Sequence, residues 1–185
     1  MKKIFILSVT SSILISTLFS SCKGKEKNNS EKPEIVVPKQ LDTYNPATGD
    51  AGIISLPDST RRLKIYTLIN ASCSTCLLKL KKWNNFLALV SSLKNVSIIP
   101  VCFSNDNFEL LKFGFENNTL PKVHLLLVLD RDGPGSFRAQ NQSLISKSGE
   151  FTALTDANNH ILLMGNPTES AADSSKFMEK LQKSE

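Results

Sequence analysis

The stretch Asn70-Ala-Ser-Cys-Ser-Thr-Cys-Leu-Leu-Lys-Leu-Lys-Lys-Trp83 sets two cysteines, Cys73 and Cys76, three residues apart where an apolar helical pattern begins. From Cys76 the positions Leu80, Trp83, Leu87 and Val90 step by four and three, so they form one stripe of a helix that faces a core. Lys79, Lys81 and Lys82 fall off the stripe, while Leu78 and Leu89 lie nearly opposite it, where a second apolar neighbour is expected. A cysteine in the first turn of a helix meets backbone N–H groups without intrahelical partners and the positive end of the dipole; both favour thiolate. Cys73 has that place, and Cys76, one turn on, faces the core. Three readings of the pair are open: a redox couple, a static disulfide or two buried thiols, and half of a metal site.

Working outward, Leu63–Asn70 alternates and then turns apolar, as a strand entering a buried sheet does. Val96–Phe103 reads as a second strand, with Pro100 awkward for a central position. Asn105 or Asp106 can cap a helix whose Phe108, Leu111 and Phe115 share a face. Val123–Leu129 reads as a third, buried strand, running into the turn Asp130-Arg-Asp-Gly-Pro-Gly135. That turn resembles the opening of a calcium loop but lacks the remaining ligands at loop spacing. A short helix within Phe137–Leu144 precedes the hairpin of Phe151–Thr155 and Ile161–Met164, and Ser170-Ala-Ala-Asp173 is a capping box for a last helix burying Phe177 and Leu181. Parallel crossovers first and an antiparallel hairpin last give an α/β fold, a mixed central sheet with helices on both faces.

The amino terminus bounds where the chain works. Lys2 and Lys3 are followed by a mixed apolar and hydroxylated run to Phe19, short of the roughly 20 apolar residues a spanning helix needs. Residues 1–21 read as a secretory signal peptide. Its end, Leu18-Phe-Ser-Ser-Cys22, resembles a bacterial lipobox, with Phe19 where a smaller aliphatic residue is usual. The resemblance implies cleavage before Cys22, acylation of that cysteine, and a domain held at a membrane of the cell envelope on the outer, periplasmic side. Cleavage takes two lysines from the 22 Lys and Arg and none of the 17 Asp and Glu, lowering the net charge from +5 to +3. So mild a charge, with no dense cluster beyond Lys23–Lys27, argues against a nucleic-acid partner. Residues 22–50, rich in Lys, Asn, Pro and Glu, read as a flexible tether, and 51–185 as one folded domain opening on a short strand at Ile53–Leu56. With Cys22 acylated, Cys73, Cys76 and Cys102 remain, and at most one pair forms within the chain.

The order of elements, with CxxC where the first core strand meets its helix, resembles the thioredoxin fold, and more narrowly the membrane-tethered thiol–disulfide oxidoreductases of the TlpA/ResA type. Leu68–Cys76, Leu125–Gly133 and Thr152–Gly165 carry the resemblance, which spans about Arg62 to Leu181. It implies a thioredoxin-like domain that exchanges thiols and disulfides with envelope proteins, Cys73 attacking and Cys76 resolving the mixed disulfide, with reducing equivalents from a partner and no cofactor. The sequence departs from the pattern in three places. No proline lies in Lys147–Asp156, where these proteins carry a cis-proline, and Glu150 or a neighbour takes that place. Ser72 stands where an aromatic residue usually precedes the motif, and Leu63–Asn70 holds no carboxylate. The departures sustain an alternative, a redox-silent thioredoxin-fold module that binds a protein partner and keeps a structural disulfide. The Pro-x-x-x-Thr-x-x-Cys signature of peroxiredoxins does not fit either cysteine. A zinc site needs ligands beyond the pair, and His124, His160 and Cys102 are the other candidates. Each is read as structural, so no metal site is expected.

Overall fold

The computed structural model describes residues 32–54, 63–93 and 95–183. The signal peptide and Cys22 lie outside the described residues.

Among the described residues seven strands form one sheet: β1 (Leu41–Tyr44), β2 (Ala51–Ile54), β3 (Leu63–Asn70), β4 (Val96–Phe103), β5 (Leu127–Asp130), β6 (Thr152–Thr155) and β7 (Ile161–Met164). Their spatial order is β2-β1-β5-β4-β3-β6-β7. The β3–β4 and β4–β5 pairs are parallel, and the rest are antiparallel. β3 is buried from Leu63 to Ile69, which explains its nearly continuous apolar text: it has neighbours on both edges and packing on both faces. Pro100 is tolerated in β4 because pairing with β5 starts only at Val101, so the proline sits where that strand has a single neighbour.

Among the described residues five α-helices accompany the sheet: α1 (Ser74–Leu77), α2 (Lys79–Val90), α3 (Glu109–Glu116), α4 (Phe137–Gln140) and α5 (Ala171–Gln182). On one face Leu80, Trp83, Phe86 and Val90 of α2 and Phe177 and Leu181 of α5 close over Ile65 and Ile69. On the other, Phe137 of α4 joins Ile35, Leu41, Tyr66, Leu68, Val101 and Phe151. Each of these large side chains forfeits about 2–5 kcal/mol if truncated to Ala, so the two clusters dominate the stability of the domain. The last helix is capped as its sequence predicts, Ser170 Oγ accepting from the Asp173 N–H at 3.1 Å and donating to the Asp173 carboxylate at 2.7 Å.

Four expectations are corrected. The tether does not run to Asp50, because residues 32–50 belong to the fold. Ile35 is fully buried, and the Asn141 side chain accepts from the Val36 N–H (2.9 Å) and donates to the Val36 carbonyl (2.8 Å). The Pro33 carbonyl accepts from the Ile161 N–H at 2.8 Å, and β1 extends the sheet beside β5. Second, Leu78 and Leu89 belong to neither core cluster and are 56% and 61% exposed. Third, Val123–Leu125 forms no strand, and Leu125 lies in a bend. Only Leu127–Asp130 finds both β1 and β4 alongside, although Val123 and Leu125 still bury their side chains. Fourth, α3 begins after Phe108, and Asn105 and Asp106 precede its cap by two or three residues. Asp106 nonetheless serves the helix, its Oδ2 accepting from the Leu110 N–H at 3.1 Å.

Candidate functional site

The parallel register of β3, β4 and β5 aligns their carboxyl ends, Asn70 beside Phe103 and Phe103 beside Asp130. The CxxC motif leaves the sheet at this edge. The Ala71 N–H donates to the Phe103 carbonyl at 2.7 Å, and the Asn70 side chain accepts from the Ser72 N–H at 3.0 Å, so the turn into the helix is held on both sides.

Cys73 is the N-cap of α1, with extended backbone (φ −126°, ψ 109°). Its sulfur accepts from the Cys76 N–H at 3.3 Å and lies 3.2 Å from Thr75 Oγ1, a hydroxyl able to donate to it. Cys73 and Cys76 are both partly exposed, and the structure joins them in a disulfide with their Cα atoms 5.2 Å apart, inside the span such a bond requires. The expected single helix is interrupted at Leu78, where α1 ends after one turn and α2 begins. Two specific groups, the Cys76 N–H and the Thr75 hydroxyl, are thus placed to donate to the Cys73 sulfur, where a long helix dipole is not. The Thr75 contribution does not stand out in the sequence, because the Ser74-Thr75 dipeptide carries no charge.

A second element missed in the sequence lies directly before the motif. The Ser72 hydroxyl donates to Asp106 Oδ1 at 2.9 Å and accepts from the Asn105 N–H at 2.8 Å; it lies 3.1 Å from the Ser104 hydroxyl. Ser104 Oγ donates to the same carboxylate oxygen and accepts the N–H groups of Asp106 (3.0 Å) and Phe108 (2.8 Å). The Ser104 hydroxyl, with burial opposing it and the Leu110 N–H and Ser72 hydroxyl assisting, holds the Asp106 carboxyl below the usual carboxylate range. The turn it closes is strained, since Asn107 (φ 53°) and the bulky Phe108 (φ 66°) both lie in the left-handed region.

Beside the first turn of α2 is a cleft of about 530 Å3, lined by Leu68, Trp83, Leu144, Ile145, Phe151 and Met164 among others. Glu150, expected at the position of the missing proline, stands on its rim. The Glu150 carboxylate accepts from Lys79 Nζ at 3.0 Å and its side chain is 69% exposed, so the cleft remains open. Glu169 stands 3.9 Å from the same lysine. No cis peptide bond occurs among the described residues.

The other sequence candidates stand apart. Cys102 is fully buried in β4, and burial pushes its thiol up to about 12, which keeps it protonated and inert. His160 caps the hairpin turn, its Nδ1 3.1 Å from the Asp156 carboxylate. His124 is exposed, with its backbone N–H bonded to the Asn84 side chain. Among the described residues no three His, Cys, Asp or Glu side chains converge as metal ligands would. The Asp130–Gly135 stretch is a turn whose Asp130 carboxylate accepts from the backbone N–H groups of Phe137 (2.6 Å) and Arg138 (2.9 Å).

No protein-family model matches the chain, and no curated protein matches its sequence. Solved structures do. An uncharacterized thioredoxin-like protein from Porphyromonas gingivalis aligns over 81% of this chain and 92% of its own, at 20% identity with a TM-score of 0.51. A putative thiol:disulfide interchange protein DsbE from Chlorobium tepidum aligns over 81% and 96%, at 15% identity and a TM-score of 0.56. AhpC of Enterococcus faecalis reaches the same TM-score of 0.56 at 17% identity, over 83% and 90%. Proteins with such different names match equally well, so the likeness speaks to architecture: the protein has the thioredoxin-like fold, with a Cys73–Cys76 pair where its first parallel strand gives way to a helix.

Proposed function

We propose that this protein is a lipid-anchored thiol–disulfide exchange protein of a bacterial cell envelope, working outside the cytoplasm on other envelope proteins through Cys73 and Cys76. The observation that carries the reading is the partly exposed N-cap sulfur of Cys73, which has two donors directed at it and Cys76 within bonding reach one turn on. In the reduced protein the Cys73 thiolate attacks one sulfur of a substrate disulfide, and the substrate's other sulfur leaves and takes up a proton. Cys76, losing its own proton, then attacks Cys73 Sγ. The Cys73–Cys76 bond forms, the mixed disulfide breaks, and the second substrate sulfur leaves as a thiol. Two electrons pass to the substrate, and a thiol partner returns them. Anchoring through acylated Cys22 rests on the Leu18–Cys22 text and the polar residues after it.

In cells, Cys76→Ala should trap mixed disulfides with envelope proteins, and Cys73→Ala should trap none, because only the resolving thiol gives the intermediate a fast intramolecular exit. The assay is a non-reducing gel of acid-quenched cells. Bands with Cys73→Ala alone would reverse the roles of the two cysteines. A Cys22→Ala protein should move to the soluble envelope fraction; retention on membranes after a high-salt wash would refute the anchor. A second reading, a binding module with a structural disulfide, is favoured by one observation: nothing in Lys147–Asp156 supplies the cis-proline expected to hold a substrate chain. Absence of trapped species from both variants would select it.

A further inference from the structure

The clasp between Ser72 and Asp106 does more than cap a helix. Capping α3 needs only the bonds from Ser104 to the Phe108 N–H and from Asp106 to the Leu110 N–H. Two further bonds run to Ser72, the residue immediately before Cys73: the 2.9 Å bond to the carboxylate and the 2.8 Å bond from the Asn105 N–H. They tie the β3–α1 turn to the β4–α3 turn across 34 residues of sequence. The carboxylate is partnered there by hydroxyls and amides and makes no ion pair among the described residues. The cation on the neighbouring turn, Arg131, is engaged by Asp42 and Asn107. A negative charge with no ion-pair partner among the described residues is therefore bonded to the residue that precedes the attacking sulfur. An anion placed there raises the free energy of a thiolate but not of a disulfide.

We propose that Asp106 is a positioning residue for the Cys73–Cys76 couple: clasped to Ser72, its carboxylate fixes the turn that presents Cys73 and biases the couple toward the disulfide, making the dithiol a stronger reductant. The proposal rests on the pair being an exchangeable couple, and its test separates the two ideas.

The purified protein is equilibrated with mixtures of reduced and oxidised dithiothreitol, above the pH at which a free cysteine ionises. In that exchange the reagent's two thiols become its cyclic disulfide while the protein disulfide becomes two thiols. The reduced fraction is read by alkylation and mobility shift. Asp106→Asn keeps an acceptor for Ser72 and removes the charge; it should shift the equilibrium constant about two- to five-fold toward the dithiol, the scale of a partly solvated charge pair. Asp106→Glu should restore most of the wild-type value. Ser72→Ala should shift the constant in the same direction, and combining it with Asp106→Asn should give less than the sum of the two effects. No shift in Asp106→Asn, a shift toward the disulfide, or strict additivity with Ser72→Ala would overturn the proposal. A fall in Tm alone, with the equilibrium constant unchanged, would also overturn it, since that marks a clasp with no influence on the couple. A wild-type disulfide that resists a large excess of dithiothreitol would defeat the exchange reading itself, and this proposal with it.

Discussion

At the scale of single residues, the Cys73 sulfur meets two donors supplied within its own turn. The Thr75 hydroxyl is the one of these that mutation can remove. Thr75→Val keeps the shape and deletes the donor. The Cys73 thiol of the reduced variant should ionise at a pH higher by about half to one unit, a discounted value for a partly exposed hydrogen bond to a charged acceptor. Thiolate absorbance followed against pH measures it, and an unchanged midpoint would remove Thr75 from the site. The cysteines themselves were legible in the sequence, because a three-residue spacing at the start of an apolar stripe puts both sulfurs within one helical turn of each other. Thr75 and Asp106 were not. A hydroxyl carries no charge to notice, and Ser72 and Asp106 are brought together only by the parallel pairing of β3 with β4.

At the scale of elements, the strands and helices from β3 onward follow the hydrophobic pattern, and the misreadings fall where pairing rather than pattern decides. Val123 and Leu125 alternate as a strand does, yet no neighbouring strand reaches them. The CxxC helix looked continuous because its stripe is unbroken, whereas its hydrogen bonding restarts at Leu78. The β5–α4 junction depends on a buried carboxylate that the sequence showed only as part of an acidic turn. Burial raises the Asp130 carboxyl above its ordinary 3.8, outweighing the opposing N–H groups of Arg138 and Phe137. A raised carboxyl binds its proton more tightly in the folded state. The corresponding stability is therefore fully present below the unfolded value and lost as pH rises through the folded one. Asp130→Asn has no such term. The stability of the wild type relative to this variant should be greatest in acid and decline as pH climbs from about 3.8, measured by urea unfolding across that range. A difference that grows with pH would reverse the sign of this argument.

At the scale of the whole molecule, residues 33–44 run from the β7 edge of the sheet to the β1 position beside β5, contributing Ile35 and Leu41 to the second core on the way. Composition concealed this: prolines and polar residues around Ile35 and Leu41 resemble a tether, and the burial becomes apparent only when the sheet face beneath is known. Asn141 fastens the segment, so Asn141→Ala should cost about 1 kcal/mol through the two part-buried bonds lost to the Val36 backbone. Removing the chain through Asp50 should cost more, since it takes Ile35, Leu41 and Tyr44 out of the two cores. A Tm equal to that of the full chain would show that residues 32–50 are not part of the cooperative unit. The place of attachment has a further consequence. Pro33 is pinned beside His160, at the end of the sheet where β3 begins, while Cys73 follows the end where β3 stops, eight residues or about 26 Å away. A group joined to the chain at Lys32 would therefore meet the domain at the end of the sheet opposite the sulfurs.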